Sequence, residues 1–211
     1  MMQDSAAFFW AFLRDPTGIG SVWPSSVYLA RAMVHAAQLV PGQVVVELGA
    51  GTGPVTRLLA KRAPDHPIMA LEPVPELAAK LRTLPGIAVR QAFAQEVPQL
   101  LAEWGHPVAH RVVSSLPFAG WSEPVQNQVL DAVCSVLAND GRLVTFTYVH
   151  SQVLPGAASF RRQLAQRFHT VERSPVVLRN LPPAFVWSCT EPISPTPTGV
   201  PPASQPAGYT Q

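Results

Sequence analysis

The chain has 211 residues, of which 47% are hydrophobic and only 13% charged, and its formal charge is +2. It is too apolar to stay unfolded, long enough to bury one full core, and too close to neutral for a nucleic-acid binder that works through bulk positive charge. No apolar run reaches the roughly 20 residues of a membrane-spanning helix, and two cysteines, Cys134 and Cys189, allow neither a disulfide framework nor a four-cysteine metal site.

Residues 1–38 are predicted to be a helical lead-in. A short helix over 5–13 crowds Phe8, Phe9, Trp10, Phe12 and Leu13 together and stops before Asp15-Pro16. It has neither the positive n-region nor the small-residue cleavage site of a secretory signal, so a cytoplasmic protein is expected. Gly18, Gly20 and Pro24 make 17–24 a loop. Ser25 or Ser26 then caps a second helix, in which Leu29, Met33, Ala36 and Ala37 recur at helical spacing.

From residue 40 to 149 strands and helices alternate. Strands are predicted at 44–48, 68–72, 87–92, 111–116 and 142–148, and helices at 55–61, 75–81, 97–104 and 124–137. Asn139-Asp140-Gly141 is predicted as a tight turn before the fifth strand. A helix over 158–168 follows, then two β runs at 171–178 and 184–189 around Arg179-Asn180-Leu181-Pro182-Pro183. Such alternation calls for an α/β fold, a parallel sheet with helices on both faces. From 191 the chain is rich in Pro, Ser, Thr and Gly and is expected to be a disordered tail. The expected organisation is a lead-in over 1–38, one domain over 39–190 and a tail over 191–211.

The motif with most chemical content is Glu47-Leu48-Gly49-Ala50-Gly51-Thr52-Gly53, at the end of the first strand and ahead of a helix. Glycines there let the backbone turn sharply and approach a ligand. Their alternating G-x-G-x-G spacing differs from the dinucleotide pattern G-x-G-x-x-G. Glu47, two residues before the first glycine, would repel a pyrophosphate but suits a ligand carrying an ammonium and a sulfonium. Glu72 ends the second strand, 19 residues past Gly53, where a carboxylate can accept from two ribose hydroxyls.

On these residues the sequence resembles the class I S-adenosylmethionine-dependent methyltransferases. The resemblance implies a Rossmann-like, seven-stranded and mostly parallel sheet, in which an antiparallel last strand inserts beside the fifth. It implies S-adenosylmethionine as cofactor. After the third strand, where many members carry an acid for the adenine, this chain has Gln91-Ala92-Phe93. Gln91 could accept from the adenine amino group through its amide oxygen, and Phe93 could pack on the ring.

The fourth strand ends in Ser114-Ser115-Leu116-Pro117-Phe118. This is similar to the N/D-P-P-Y/F motif of amine and adenine N-methyltransferases, with Ser in place of Asn or Asp. Methyl transfer needs a neutral nitrogen held in line with the S–CH3 bond, and aromatic faces stabilise the cationic product. Together with 17–26, Thr145-Phe146-Thr147-Tyr148 and 179–186, the pattern resembles the small soluble bacterial phospholipid N-methyltransferases, which carry phosphatidylethanolamine towards phosphatidylcholine. The resemblance implies that Ser115, Leu116, Phe118 and Tyr148 position the amine. It implies Ser25, Ser26, Glu47, Gly49, Ala50, Gly51, Gly53, Glu72, Gln91, Ala92 and Ser114 around the cofactor, and Trp23, Arg179 and Asn180 at the lipid headgroup.

The aromatic helix over 5–13 is expected to touch a membrane surface, so that the protein associates peripherally with the inner face of the membrane. No spacing suggests a metal. An ornithine-type aminolipid would use the same features. An RNA adenine N-methyltransferase is a rival reading, opposed by the near-neutral charge and by two lysines in the whole chain. A non-enzymatic lipid-binding module is a further rival, opposed by the intact glycine loop and Glu72.

Overall fold

The computed structural model describes residues 26–193. Ser26 caps the first helix, α1 (Val27–Ala36), by accepting a 3.3 Å hydrogen bond from the Leu29 amide on its side-chain oxygen. Strands and helices then alternate: β1 (Val45–Leu48), α2 (Pro54–Arg62), β2 (Ile68–Leu71), α3 (Pro75–Leu81), β3 (Ile87–Arg90), α4 (Val97–Glu103), β4 (Ala109–Ser114), α5 (Glu123–Val136), β5 (Leu137–Tyr148), α6 (Pro155–Arg167), β6 (Phe168–Arg173) and β7 (Ala184–Pro192). Proline stands in the first turn of α2 to α6, where its missing N–H costs no helix hydrogen bond.

The seven strands form one sheet in the order β3-β2-β1-β4-β5-β7-β6. The first five are parallel, and β7 lies antiparallel between β5 and β6. Every residue of β1 and β2 is buried, as a central parallel strand covered on both faces requires. Alternate side chains serve two cores. Val45, Ile68, Val113 and Val144 pack under α1 and α2, while Val46, Leu48, Met69 and Val112 pack under α4, α5 and α6. The order reverses between β1 and β4, so the crevice at their carboxyl ends is the place for a ligand.

Two boundaries differ from the sequence reading. Asn139 and Asp140 are exposed and turn-like in composition, but the strand resumes on both sides of them. Ala109 pairs with Leu137 and Arg111 with Arg142, so β5 advances five residues while β4 advances two. The predicted turn is an irregularity inside a 12-residue strand. β6 begins at Phe168, earlier than expected, because that ring is 2% exposed and anchors the edge strand. Pro175 lies just past its end, and of 176–178 only Val177 makes a single bridge, to Ala184.

Both cysteines are free and buried, and burial pushes their thiols up to about 11 for Cys134 and about 12 for Cys189. Among the described residues no helix is long and apolar enough to cross a membrane. The predicted helix over 5–13, Trp23, Ser25 and the tail from 194 lie outside the described residues.

Candidate functional site

The chain leaves β1 at Leu48 and enters α2 at Pro54, with a glycine at every second residue between. Gly49 has φ +70°, and a Cβ there would sit 2.7 Å from the Leu116 side chain. The first glycine is therefore required by contact with the turn after β4 as well as by conformation. Gly51 has φ +57°, and a Cβ built on it would meet nothing within 4 Å. Its side-chain position opens on empty space at the sheet's carboxyl edge.

Glu72 follows β2 directly and is 3% exposed. Its Oε2 accepts a 2.7 Å hydrogen bond from the Gly51 amide and its Oε1 a 2.9 Å bond from the Val74 amide. Burial pushes its pKa up, and the two amides oppose that shift. Each carboxylate oxygen has two lone pairs, so both remain able to accept one further bond.

Glu47 is fully buried, and neither of its oxygens has a hydrogen-bond partner. Desolvation raises its pKa from 4.5 to about 8; the neighbouring Glu72 charge adds to the rise, and Thr56 opposes it. The Thr56 hydroxyl is itself unpartnered, so it lies near Glu47 without completing a bond. A carboxylate so placed is ionised at neutral pH only when a cation is beside it.

A shallow cleft opens beside the glycine loop. Gly49, Ala92, Phe93 and Leu116 line one part of it, and Gln95, Trp121, Val125 and Gln128 the rest. Its walls are mostly apolar with amide groups at the rim, a surface suited to a flat heterocycle. The Glu96 carboxylate fixes the approach by accepting from the Phe93 amide at 2.7 Å. An orphaned buried carboxylate, a second carboxylate with free lone pairs and an apolar slot are the complements of an ammonium, a diol and a purine. The donor set thus fits S-adenosylmethionine. Gln91 is solvent-exposed and outside the cleft lining, whereas its neighbours Ala92 and Phe93 are part of it.

The turn after β4 rests on the glycine loop. The Ser115 amide donates to the Leu48 carbonyl at 2.9 Å, and the buried Ser114 hydroxyl accepts from the Leu116 amide at 3.4 Å. Phe118 is 1% exposed: its ring stacks on Phe160 at 4.4 Å between centroids and meets the edge of Trp121 at 5.3 Å. Its aromatic face is engaged in the core beneath the turn, whereas Trp121, like Phe93, reaches the cleft.

Gln126, fully buried on α5, holds this turn from below. The two N–H groups of its Nε2 are shared among the carbonyls of Phe118 at 2.7 Å, Gly156 at 2.8 Å and Trp121 at 3.1 Å, and its Oε1 accepts from Gln163 at 2.8 Å. Sequence reasoning overlooked it. The signal was present: Gln126 is an amide on the stripe of α5 that otherwise carries Val129, Leu130 and Val133.

The remaining predicted residues gather at the far side of the same edge. Tyr148 ends β5, half-buried, stacked on His150 at 5.5 Å and edge-on to Phe146 at 5.1 Å; burial raises its pKa. Asn180 is 2% exposed and joins the β6–β7 connection to α1, accepting from the Ser26 amide at 3.0 Å and donating to the Pro182 carbonyl at 2.6 Å. Arg179 is exposed, its guanidinium 5.3 Å from the Tyr28 ring centroid. Among the described residues no cluster of three or more His, Cys, Asp or Glu could hold a metal ion.

No protein-family model matches the chain. The ornithine lipid N-methyltransferase of Singulisphaera acidiphila is 33% identical over 193 residues, which are 89% of this chain and 96% of that protein. Among solved structures, TrmN from Thermus thermophilus superposes with a TM-score of 0.60 at 22% identity over 76% of this chain, which spans about half (48%) of that longer protein. The precorrin-6y C5,15-methyltransferase of Geobacter metallireducens superposes with a TM-score of 0.58 at 17% identity, covering 77% of this chain and 87% of that one. At these identities the two structures speak to the fold alone.

Proposed function

The chain belongs to the class I S-adenosylmethionine-dependent methyltransferases, in one family with the Singulisphaera acidiphila enzyme, and from that premise we propose that it methylates the amine of a membrane aminolipid, an ornithine-type lipid first. The single observation that carries the substrate is the 33% identity along nearly the whole of both chains. The second reading is phosphatidylethanolamine, favoured by the Ser115-Leu116-Pro117-Phe118 turn and Tyr148, which resemble the phospholipid N-methyltransferases.

The cofactor, when bound, supplies a methyl group already activated by its sulfonium. The protein's part is to place the nitrogen and keep water out. Ser115 and Leu116 present backbone and hydroxyl acceptors beside the glycine loop, where an amine N–H can be held. Glu47 balances the cationic end of the cofactor, and Glu72 holds the diol. Tyr148 offers aromatic surface to the nitrogen as it becomes cationic.

The test uses purified protein, methyl-labelled S-adenosylmethionine and detergent-dispersed ornithine lipid, phosphatidylethanolamine or RNA, with lipid products separated by thin-layer chromatography. Label in ornithine lipid supports the first reading, and label in phosphatidylethanolamine alone moves the substrate to the second. Label in neither lipid, with cofactor binding intact, overturns both.

A further inference from the structure

We propose that the protein docks on an anionic lipid bilayer through an apolar rim at the carboxyl edge of its sheet, built from the start of α1, the segment after β5 and the β6–β7 connection. The most exposed large apolar side chains of the described residues are Val153 (87%), Leu178 (74%) and Leu181 (72%). Val27, Tyr28 and Val176 are exposed as well.

Topology brings these segments together. Tyr148 at the end of β5 pairs with Ala184 at the start of the antiparallel β7, so whatever follows β5 and whatever precedes β7 emerge at one edge. The Val149 amide donates to the Pro183 carbonyl at 2.9 Å, joining the two segments. Asn180 binds the Ser26 amide and Arg179 lies over Tyr28, which brings in the start of α1. This is the edge that carries the glycine loop and Glu72. Two other exposed apolar residues, Val40 and Ile193, belong to the opposite edge, where β1 begins and β7 ends.

Charge selects the partner. Residues 26–36, 149–156 and 174–187 contain no Asp or Glu, while Arg31 and Arg179 lie among them. A rim of Leu and Val with Tyr, carrying cations and no carboxylate, matches the boundary of a bilayer with anionic headgroups. Leucines that would be a liability on a protein kept in water gain from insertion there. Seated this way, the lipid amine enters the cleft from the layer in which it already resides. The inference rests on the aminolipid reading above.

The experiment measures co-sedimentation with vesicles of phosphatidylglycerol and phosphatidylcholine, against phosphatidylcholine alone, at low and high salt. The intact chain is compared with the double variant Leu178→Asp/Leu181→Asp, with Val153→Ser, with Val40→Ser as a control at the opposite edge, and with a chain lacking 1–25. A thermal melt reports folding of each. The double variant is expected to bind anionic vesicles at least about tenfold more weakly, Val153→Ser to fall between, and Val40→Ser to match the intact chain. Retained turnover of detergent-dispersed lipid by the double variant would confirm that only docking was lost.

Vesicle binding by the double variant equal to that of the intact chain overturns the inference, whatever the substrate proves to be. So does loss of binding on deleting 1–25 with none from the double variant, which would place the contact on that segment. A dimer of the intact chain that the double variant converts to monomer, with vesicle binding unchanged, assigns the rim to a second copy and also overturns it. Rim-dependent vesicle binding by a protein that methylates no lipid would keep the docking surface and reject the substrate reading instead.

Discussion

Glu72 Oε2 accepts a 2.7 Å hydrogen bond from the Gly51 amide, so the carboxylate after β2 and the middle glycine after β1 form one unit at the carboxyl edge of the sheet. The second oxygen is occupied by Val74 in the same way. The carboxylate is thereby fixed in orientation before any ligand arrives, and the glycine loop is fixed with it.

Replacing Glu72 with Ala removes both fixtures at once. Hydrogen bonds to a charged group are worth about 1.5–3 kcal/mol each, so cofactor affinity is expected to fall by one to two such bonds, about tenfold to ten-thousandfold. The melting temperature should fall as well, because the Gly51 and Val74 amides lose their acceptor. Glu72→Gln, which keeps one acceptor oxygen, should recover part of both. Calorimetric titration with S-adenosylmethionine and a thermal melt decide it; unchanged affinity in Glu72→Ala removes this residue from the cofactor site.

Gly51 and Gly49 are expected to respond differently to alanine. At Gly51 the added methyl enters open space, so the fold bears only the left-handed conformation, about 1–2 kcal/mol. A bound cofactor would meet that methyl directly, and affinity should drop more than stability. At Gly49 the methyl strikes Leu116, so Gly49→Ala should displace the acceptor turn and reduce turnover even at saturating cofactor. Equal losses of affinity and melting temperature in Gly51→Ala would show that the loop lacks the open face assigned to it.

The sheet could be read in the sequence because its signal is local. Val44, Val45 and Val46 ahead of a glycine run, and Ile68 to Leu71 ahead of Glu72, are buried strands ending where ligands bind, and both lie as expected. Side-chain direction was not local. Phe118 looks like an acceptor-facing aromatic in one dimension, but Phe160, more than forty residues later, is what its ring stacks on. Gln126 contacts three carbonyls, two in the turn after β4 and one in the first turn of α6, and no spacing rule encodes that convergence. Leu178 reads in the sequence as the end of a β run and Leu181 as part of the connection after it, because their exposure depends on β7 returning to the edge where β5 ends.

Gln126 is expected to act on turnover through the turn it supports. Gln126→Ala removes the side-chain donor from the carbonyls of Phe118, Trp121 and Gly156; the Phe118 carbonyl keeps the Trp121 amide, and each carbonyl left unpaired costs about 1–3 kcal/mol. Gln126→Glu exchanges the donor for an acceptor facing three acceptors and should be at least as harmful. Thermal melts should register both changes. Steady-state kinetics at a permissive temperature should show kcat falling while the cofactor dissociation constant holds. A melt shift with kcat intact would make Gln126 a residue of the core alone.

Glu47 makes both stability and cofactor binding depend on pH, with opposite signs. Its folded pKa of about 8 lies above its ordinary value of 4.5, so the folded chain holds a proton that the unfolded chain releases. Between these values the unfolded state binds fewer protons, and stability falls as pH rises, approaching about 1.4 kcal/mol per pH unit for one proton. The stabilisation is fully present below 4.5 and lost once pH passes about 8. A cationic cofactor needs the ionised form, so its binding releases that proton near neutral pH, and affinity should climb as pH approaches 8. Glu47→Gln should flatten both profiles and bind the cofactor more weakly. Denaturant melts from pH 5 to 9, with calorimetry in buffers of different ionisation heat to count released protons, test both signs. Proton release that is zero in the intact chain, or unchanged in Glu47→Gln, would refute the assignment.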